Sequence, residues 1–192
     1  MERLKGLVGG YFLNRLTTRM EPAPIEFPVA LTRIRRILVC LPGELRELTI
    51  IKQFLPTIQE MFRPAEITLL ALPGVSIHGL YPRKGFQILS PGSDAATWSG
   101  LPKKHYLKKL RERDFDMILD MNLSRSRFTA GVLLGFPKAV RAGRGNHLGG
   151  PYYNLEIKTR YLRDERNIYR SLLRTLGKIK DSAAGRPKAV GN

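Results

Sequence analysis

The residues best suited to chemistry follow a short buried strand in the first quarter of the chain. The stretch RILVCLPGELRELTIIKQFLP, 36–56, is typical of a strand, a tight turn at Gly43 and a helix. Turns that cradle phosphate usually carry small residues, whereas this turn continues into Glu44, Arg46 and Glu47. The turn therefore either performs acid–base chemistry with these side chains or only closes the fold.

A second polar group follows the later apolar stretch DFDMILDMN, 114–122. Asp120 ends this predicted strand, where its carboxylate either points into a crevice at the sheet edge or caps the next turn. Arg125 and Arg127 follow near a predicted helix start, where backbone N–H groups and guanidinium forks favour phosphate. A solvated charge cluster is the alternative interpretation of the two arginines.

Other site patterns are missing from the sequence. There is no P-loop, and GRGNHLGG, 143–150, departs from a dinucleotide fingerprint because its third glycine falls one position late. The three histidines have no acidic neighbours at ligand spacing, and the single cysteine, Cys40, lies in an apolar run. We expect neither a metal ion nor a cofactor.

Charge is the most unusual property of the composition. A formal net charge of +17 over 192 residues predicts attraction to nucleic acid, anionic lipid or an acidic glycolipid. The basic run Lys103–Arg113 contains one aromatic residue, Tyr106, whereas nucleic-acid surfaces interleave several. No apolar run reaches about 18 residues, so we expect a cytoplasmic protein with a peripheral position at the inner membrane surface as an option.

Four segments are expected along the chain. Residues 1–20 predict a basic amphipathic helix, which either lies in a lipid interface or packs on its own domain. A proline-rich linker, 21–33, precedes an α/β domain over 34–178, and 179–192 is expected to be a disordered basic tail. The predicted apolar face of the first helix consists of Leu4, Leu7, Val8, Tyr11, Phe12 and Leu16.

Strand and helix patterns alternate through the central segment. Apolar runs at 34–41, 65–73, 86–90, 114–122 and 138–143 predict strands that are buried on both faces. Helical spacing occupies most of the stretches between them, and a final helix is predicted over 164–178. This order predicts a parallel sheet with helices on both faces, and ligands bind such sheets beyond the carboxyl ends of the strands.

The same pieces carry a family resemblance. RILVCLPGELRELTIIKQFLP, PAEITLLALP, FDMILDMN and AVRAG together resemble the amino-terminal half of the family 9 glycosyltransferases, which include bacterial lipopolysaccharide heptosyltransferases. The resemblance covers roughly residues 35 to 175. It implies a Rossmann-like parallel sheet with helices on both faces, as in the acceptor-side domain of a GT-B enzyme.

The resemblance also implies roles for the polar residues. Counting without gaps from Ile37 places Glu47 at the catalytic carboxylate of the family, with Arg46 at the preceding glycine. The residues expected to contact a phosphorylated glycan acceptor are Gly43, Arg46, Asp120, Arg125 and Arg127. The donor-binding half of such an enzyme has no counterpart in the sequence, so either a separate donor-domain protein is the partner or the chain is a non-catalytic accessory. The alternative is a basic nucleic-acid-binding module on the same scaffold.

Overall fold

The computed structural model describes residues 2–18, 24–81, 84–145, 148 and 150–184. The expectations for residues 19–23 and 185–192 lie outside these described residues. In chain order the elements are α1 (Glu2–Thr18), β1 (Arg36–Cys40), α2 (Leu45–Lys52), α3 (Leu55–Met61), β2 (Glu66–Leu70), β3 (Gln87–Leu89), α4 (Lys104–Arg111), β4 (Met117–Asp120), α5 (Arg127–Leu134), β5 (Val140–Arg144), β6 (Leu155–Ile157) and α6 (Glu165–Ala184).

The strands form one six-stranded parallel sheet in the order β3-β2-β1-β4-β5-β6. The chain starts in the middle with β1, builds outward to β3, and then returns to place β4 on the other side of β1. This is the strand order of a Rossmann-like α/β fold, and the order reverses between β1 and β4. The predicted fold class is therefore confirmed.

Alternation along each strand divides the interior into two cores. In β1, Ile37 and Val39 face one core, whereas Leu38 and Cys40 face the other. The first core lies under α2, α3 and α6, and the second under α4 and α5. Burial on both faces explains why the strands of the sheet centre are apolar throughout, as the sequence pattern predicted.

Three elements differ from the sequence predictions. The one helix expected after the Gly43 turn is two helices, α2 and α3, because Pro56 starts a new helix in its first turn. Strand β6 was not predicted, since its three residues are too few for a clear alternation. The chain remains helical to Ala184 in α6, so 179–184 are not part of a disordered tail.

The N-terminal segments pack closely on the domain. Leu13 of α1 is buried against Leu101, Ala130 and Leu134, the last two from α5. Of the apolar face given by the sequence, Tyr11 and Phe12 are exposed and Val8 is half-buried. The burial of the side chains of Leu4, Leu7 and Leu16 is outside what the structure describes. Within the predicted linker, Val29–Thr32 form a short 3₁₀ helix.

One close approach in the second core depends on a glycine in β5. A Cβ atom at Gly143 would lie 2.4 Å from Cζ and 2.5 Å from Cε1 of Tyr153. The Tyr153 ring therefore lies directly over the β5 backbone. Any larger residue at position 143 would clash with the ring in this position.

We predict that Gly143→Ala lowers the free energy of unfolding by about 2 kcal/mol, because the added methyl group overpacks the core against the tyrosine ring. Urea denaturation followed by circular dichroism measures the change. The matched control is Gly10→Ala in α1, where no described atom lies within 4 Å of the position that the methyl group would take and alanine favours the helix. A stable Gly143→Ala protein would show that the ring moves away at no cost.

Candidate functional site

The candidate site lies where β1 and β4 end side by side, at the point where the strand order reverses. Cys40 and Asp120 are paired across the two strands, and the N–H of Met121 donates to the Cys40 carbonyl at 3.0 Å. Two segments leave the sheet here: 41–44 leads into α2 and 121–126 leads into α5. Ligands of open parallel sheets bind at such reversals.

Asp120 is the buried centre of this edge. Its Oδ1 accepts from the backbone N–H of Asn122 at 2.9 Å and from Asn122 Nδ2 at 2.6 Å, and its Oδ2 accepts from the Tyr153 hydroxyl at 2.7 Å. Only 1% of Asp120 is exposed. Of the two interpretations offered by the sequence, the contacts favour a carboxylate that fixes the following turn over one that faces an open crevice.

Asn122 extends this network into the start of α5. Its Nδ2 also contacts Thr129 Oγ1 at 3.3 Å, and the Ser126 hydroxyl caps the helix by accepting from the Thr129 N–H at 3.2 Å. The direction of the β4–α5 segment is therefore set by hydrogen bonds at both of its ends. This fixes the backbone that carries Arg125 and Arg127.

Arg125 and Arg127 line a cavity of about 880 Å³ between α1 and the carboxyl edge of the sheet. Nη1 of Arg127 donates to the carbonyl of Ser99 at 3.3 Å. Apolar walls come from Leu13, Leu72 and Phe128, and Tyr152 adds a hydroxyl. The size of the cavity suits a small ligand, and its two cations suit an anionic one.

Gly43 lies beside this cavity rather than inside it. A Cβ atom added at Gly43 would lie 3.2 Å from Cδ1 of Leu72, which lines the cavity. The Gly43 turn and the cavity are therefore neighbours, although Arg46 and Glu47, which follow this turn, lie beside α6.

Glu47 lies in the first turn of α2 and is 9% exposed. Burial and the nearby carboxyls of Glu165 and Glu44 raise the pKa of Glu47, and a hydrogen bond from the Leu123 N–H opposes that rise. Its Oε2 is buried without a hydrogen-bond partner among the described residues. A carboxyl group with a raised pKa and a free acceptor oxygen is typical of a general base.

Arg46 is held by a contact that the sequence did not indicate. Its Nε lies 3.0 Å from Oε2 of Glu165, at the start of α6, and the arginine side chain is 77% exposed. This ion pair joins α2 to α6 on the side of the sheet opposite α1 and α5. The predicted site residues thus fall into two groups, with Glu47 and Arg46 beside α6 and Arg125 and Arg127 beside α1.

The segment 121–127 connects the two groups. Leu123 binds the Glu47 carboxylate through its N–H, and two residues later Arg125 lines the cavity. One hydrogen-bonded turn therefore contacts both the candidate base and the candidate anion site.

Two tyrosines beneath Glu47 were missed by sequence reasoning. The Tyr169 hydroxyl donates to the Met121 carbonyl at 3.0 Å, and the Tyr81 hydroxyl donates to the Leu48 carbonyl at 2.7 Å. Burial, followed by the charge of Glu47, raises the pKa of Tyr169. Both tyrosines are spaced as core residues, and the sequence contains no signal that separates them from apolar neighbours.

Two further features concern metal ions and membranes. No group of three His, Cys, Asp or Glu side chains among the described residues has the arrangement of a metal site. Over the same part of the chain, no helix combines the length and hydropathy of a bilayer-spanning segment.

The comparisons with known proteins concern the fold. No protein-family model and no curated protein matches the chain. Among solved structures, the chain is similar to the E. coli heptosyltransferase WaaC with ADP, at 12% identity and a TM-score of 0.49 over 82% of this chain and 50% of that one. The same enzyme with ADP-2-deoxy-2-fluoro heptose matches at 13% identity and a TM-score of 0.48. The chain spans about half the length of these structures.

We predict that Glu47→Gln raises the melting temperature at about pH 8, because the folded state holds the charged carboxylate unfavourably when its pKa is raised. The destabilising effect of wild-type Glu47 is fully present above its folded pKa. It disappears as the pH falls below the pKa of Glu47 in the unfolded chain. The melting temperatures of the wild-type and Glu47→Gln proteins therefore converge near about pH 4. Thermal denaturation across this range measures the difference.

Glu60→Gln is the matched control, because Glu60 is exposed on α3 and loses one negative charge in the same way. Its melting temperature is expected to follow the wild-type protein at every pH. A Glu47→Gln variant that is less stable than wild type at about pH 8 would show that the carboxylate is favourably paired.

Proposed function

We propose that the chain is the acceptor-binding half of a glycosyltransferase related to family 9, with Glu47 as the base that activates the acceptor hydroxyl. The observation that carries this proposal is the buried Oε2 of Glu47, which lacks a hydrogen-bond partner within the described chain and belongs to a carboxyl group of raised pKa. It lies at the strand-order reversal of a Rossmann-like sheet. The family resemblance assigns the catalytic carboxylate to this same residue.

The proposed reaction is one displacement. An acceptor hydroxyl donates a hydrogen bond to Oε2 of Glu47. Its proton moves to Oε2 as the acceptor oxygen attacks the anomeric carbon of the donor sugar. The new carbon–oxygen bond forms as the bond from that carbon to the donor phosphate breaks. The nucleotide diphosphate leaves with the bonding electrons, and Glu47 later returns the proton to solvent.

Arg125 and Arg127 are proposed to hold a phosphate group of the acceptor in the adjacent cavity. Guanidinium groups bind phosphate with paired hydrogen bonds, and the capped start of α5 adds the positive end of a helix dipole. In this arrangement Asp120 and Gly43 do not contact the acceptor. Asp120 fixes the turn that carries the two arginines, and Gly43 allows its own turn to lie close to the cavity wall. Arg46 stabilises Glu165 beside the base.

The nucleotide-sugar donor is proposed to come on a separate donor-domain protein. No described cavity of this chain combines Glu47 with the Arg125 and Arg127 pair, and a sugar nucleotide needs a cleft closed on both sides. A partner that covers the carboxyl edge of the sheet would supply the second wall.

An inner-membrane surface is the proposed location of the acceptor. Tyr11 and Phe12 project from α1 with 65% and 48% exposure, and their rings contact each other edge to face. Exposed aromatic rings on a strongly basic protein favour the interface of an anionic bilayer.

The catalytic proposal predicts that Glu47→Gln lowers sugar transfer at least about 100-fold, because the amide cannot accept the acceptor proton. The measurement is incorporation of radiolabelled sugar from nucleotide-sugars into endogenous lipid-linked acceptor. It uses membrane extracts of source cells that lack this chain, supplemented with wild-type or variant protein. Glu60→Gln is the control and is expected to restore full incorporation.

Retained transfer by Glu47→Gln would remove Glu47 from the role of base. Absence of any transfer with the wild-type protein, together with tight binding of arbitrary RNA, would favour the nucleic-acid-binding alternative.

The membrane proposal predicts that Tyr11→Ser with Phe12→Ser lowers flotation with phosphatidylglycerol-containing vesicles several-fold, because the rings no longer enter the interface. Leu162→Ser is the control, since Leu162 is also exposed but lies in the loop before α6. Equal flotation of all three proteins would show that the aromatic pair does not contact lipid.

A further inference from the structure

A second basic site lies on α6, away from the cavity at α1. A groove of about 430 Å³ runs between the outer face of α6 and the loop that follows β6. Its cations are Arg160, Arg170, Arg174 and Lys178, and no described lining residue is acidic. The groove holds four cations, whereas the described lining of the cavity at α1 holds two, Arg125 and Arg127.

The cations are spaced regularly along the groove. Arg170, Arg174 and Lys178 recur every four residues, so their Cα positions are about 6 Å apart along the helix axis. Between them, Ser171 and Thr175 contribute hydroxyl groups on the same face. A row of positive charges alternating with hydroxyls is complementary to a linear chain that carries repeated negative charges and hydroxyl groups.

The wall opposite α6 is fixed in place. The Tyr161 carbonyl accepts from Arg144 Nη2 at 3.2 Å and from Thr159 Oγ1 at 3.1 Å. At the entrance, Asp164 accepts from the Asn167 N–H at 3.0 Å and so caps α6. Asp164 is thus engaged in the helix start and is not part of the described groove lining.

The lining discriminates between kinds of polyanion. Single-stranded nucleic acid needs aromatic rings on which bases stack, and Tyr161 is the one aromatic residue among the described lining. The guanidinium of Arg160 lies 5.2 Å from the centre of that ring and occupies one of its faces. A lipid surface is flat and prefers exposed apolar side chains, which the described lining lacks.

We infer that this groove binds the phosphate groups of a linear phosphorylated glycan. The inference does not depend on the proposed transferase activity, because the groove and the Glu47 site use different residues. Arg170, Arg174 and Lys178 contact successive phosphates, and the hydroxyls of Ser171 and Thr175 bind the sugar or phosphate oxygens between them.

The test uses fluorescein-labelled phosphorylated dextran, with uncharged dextran and oligouridine RNA of matched charge as comparison probes. Arg170→Gln, Arg174→Gln and Lys178→Gln combined are expected to weaken phosphorylated-dextran binding by roughly tenfold and to flatten its salt dependence, since three phosphate contacts are lost. Fluorescence anisotropy at several salt concentrations gives both quantities. The three side chains are exposed, and thermal denaturation verifies that the variant is folded.

The matched control removes the same charge from another basic helix. Lys104, Lys108 and Lys109 are exposed on α4, and their combined change to Gln is expected to alter binding less than twofold. Equal losses in the two triple variants would overturn the inference, because they would show a general charge effect. Groove-dependent binding of oligouridine tighter than that of phosphorylated dextran would overturn it in favour of nucleic acid. Unchanged binding by the α6 variant would also overturn it.

Discussion

The burial of one carboxylate, Asp120, is the constraint on which the candidate site depends. It lies at the last position of β4, inside the sheet edge, where an unpaired charge would cost several kcal/mol. Asn122 and Tyr153 satisfy it from opposite directions. Because Asn122 belongs to the outgoing turn, satisfying the carboxylate also fixes the backbone that reaches Leu123 and the two arginines. The burial of Asp120 thus sets the positions of the Leu123 N–H, which binds Glu47, and of Arg125 and Arg127.

Tyr153 makes this arrangement depend on a distant part of the chain. Its hydroxyl reaches Asp120 only because Gly143 lets the ring lie on the β5 backbone. The same burial, reinforced by the Asp120 charge, raises the pKa of Tyr153 and keeps its proton available for donation. The packing of the second core therefore also positions the Tyr153 hydroxyl for its hydrogen bond to Asp120 at the sheet edge.

The sequence was most informative where one physical rule dominates. Strands buried on both faces must be apolar throughout, so the runs around β1, β2 and β4 predict a parallel sheet with little ambiguity. Contacts between distant segments obey no such local rule. For Arg46 the sequence indicated only a contact with an acceptor, and its ion pair with Glu165, more than a hundred residues later, could not be read from the local pattern. The sequence therefore identified the polar residues of the two turns as candidates for chemistry. Only the folded structure shows that Arg46 and Glu47 lie on one side of the sheet and Arg125 and Arg127 on the other.

The environment of Glu47 argues for a role beyond packing. A strongly basic protein could neutralise a buried carboxylate with one of its many cations, yet the groups that perturb Glu47 are the carboxyls of Glu165 and Glu44. Arg46, the nearby cation, is directed to Glu165 and leaves Oε2 of Glu47 without a hydrogen bond from any residue that the structure describes. An unsatisfied buried acceptor costs about 1–3 kcal/mol, and a donor hydroxyl from a ligand is the group that would recover it. The arrangement lowers the stability of the chain, and under the proposed function the acceptor hydroxyl is the group that offsets this cost at Oε2.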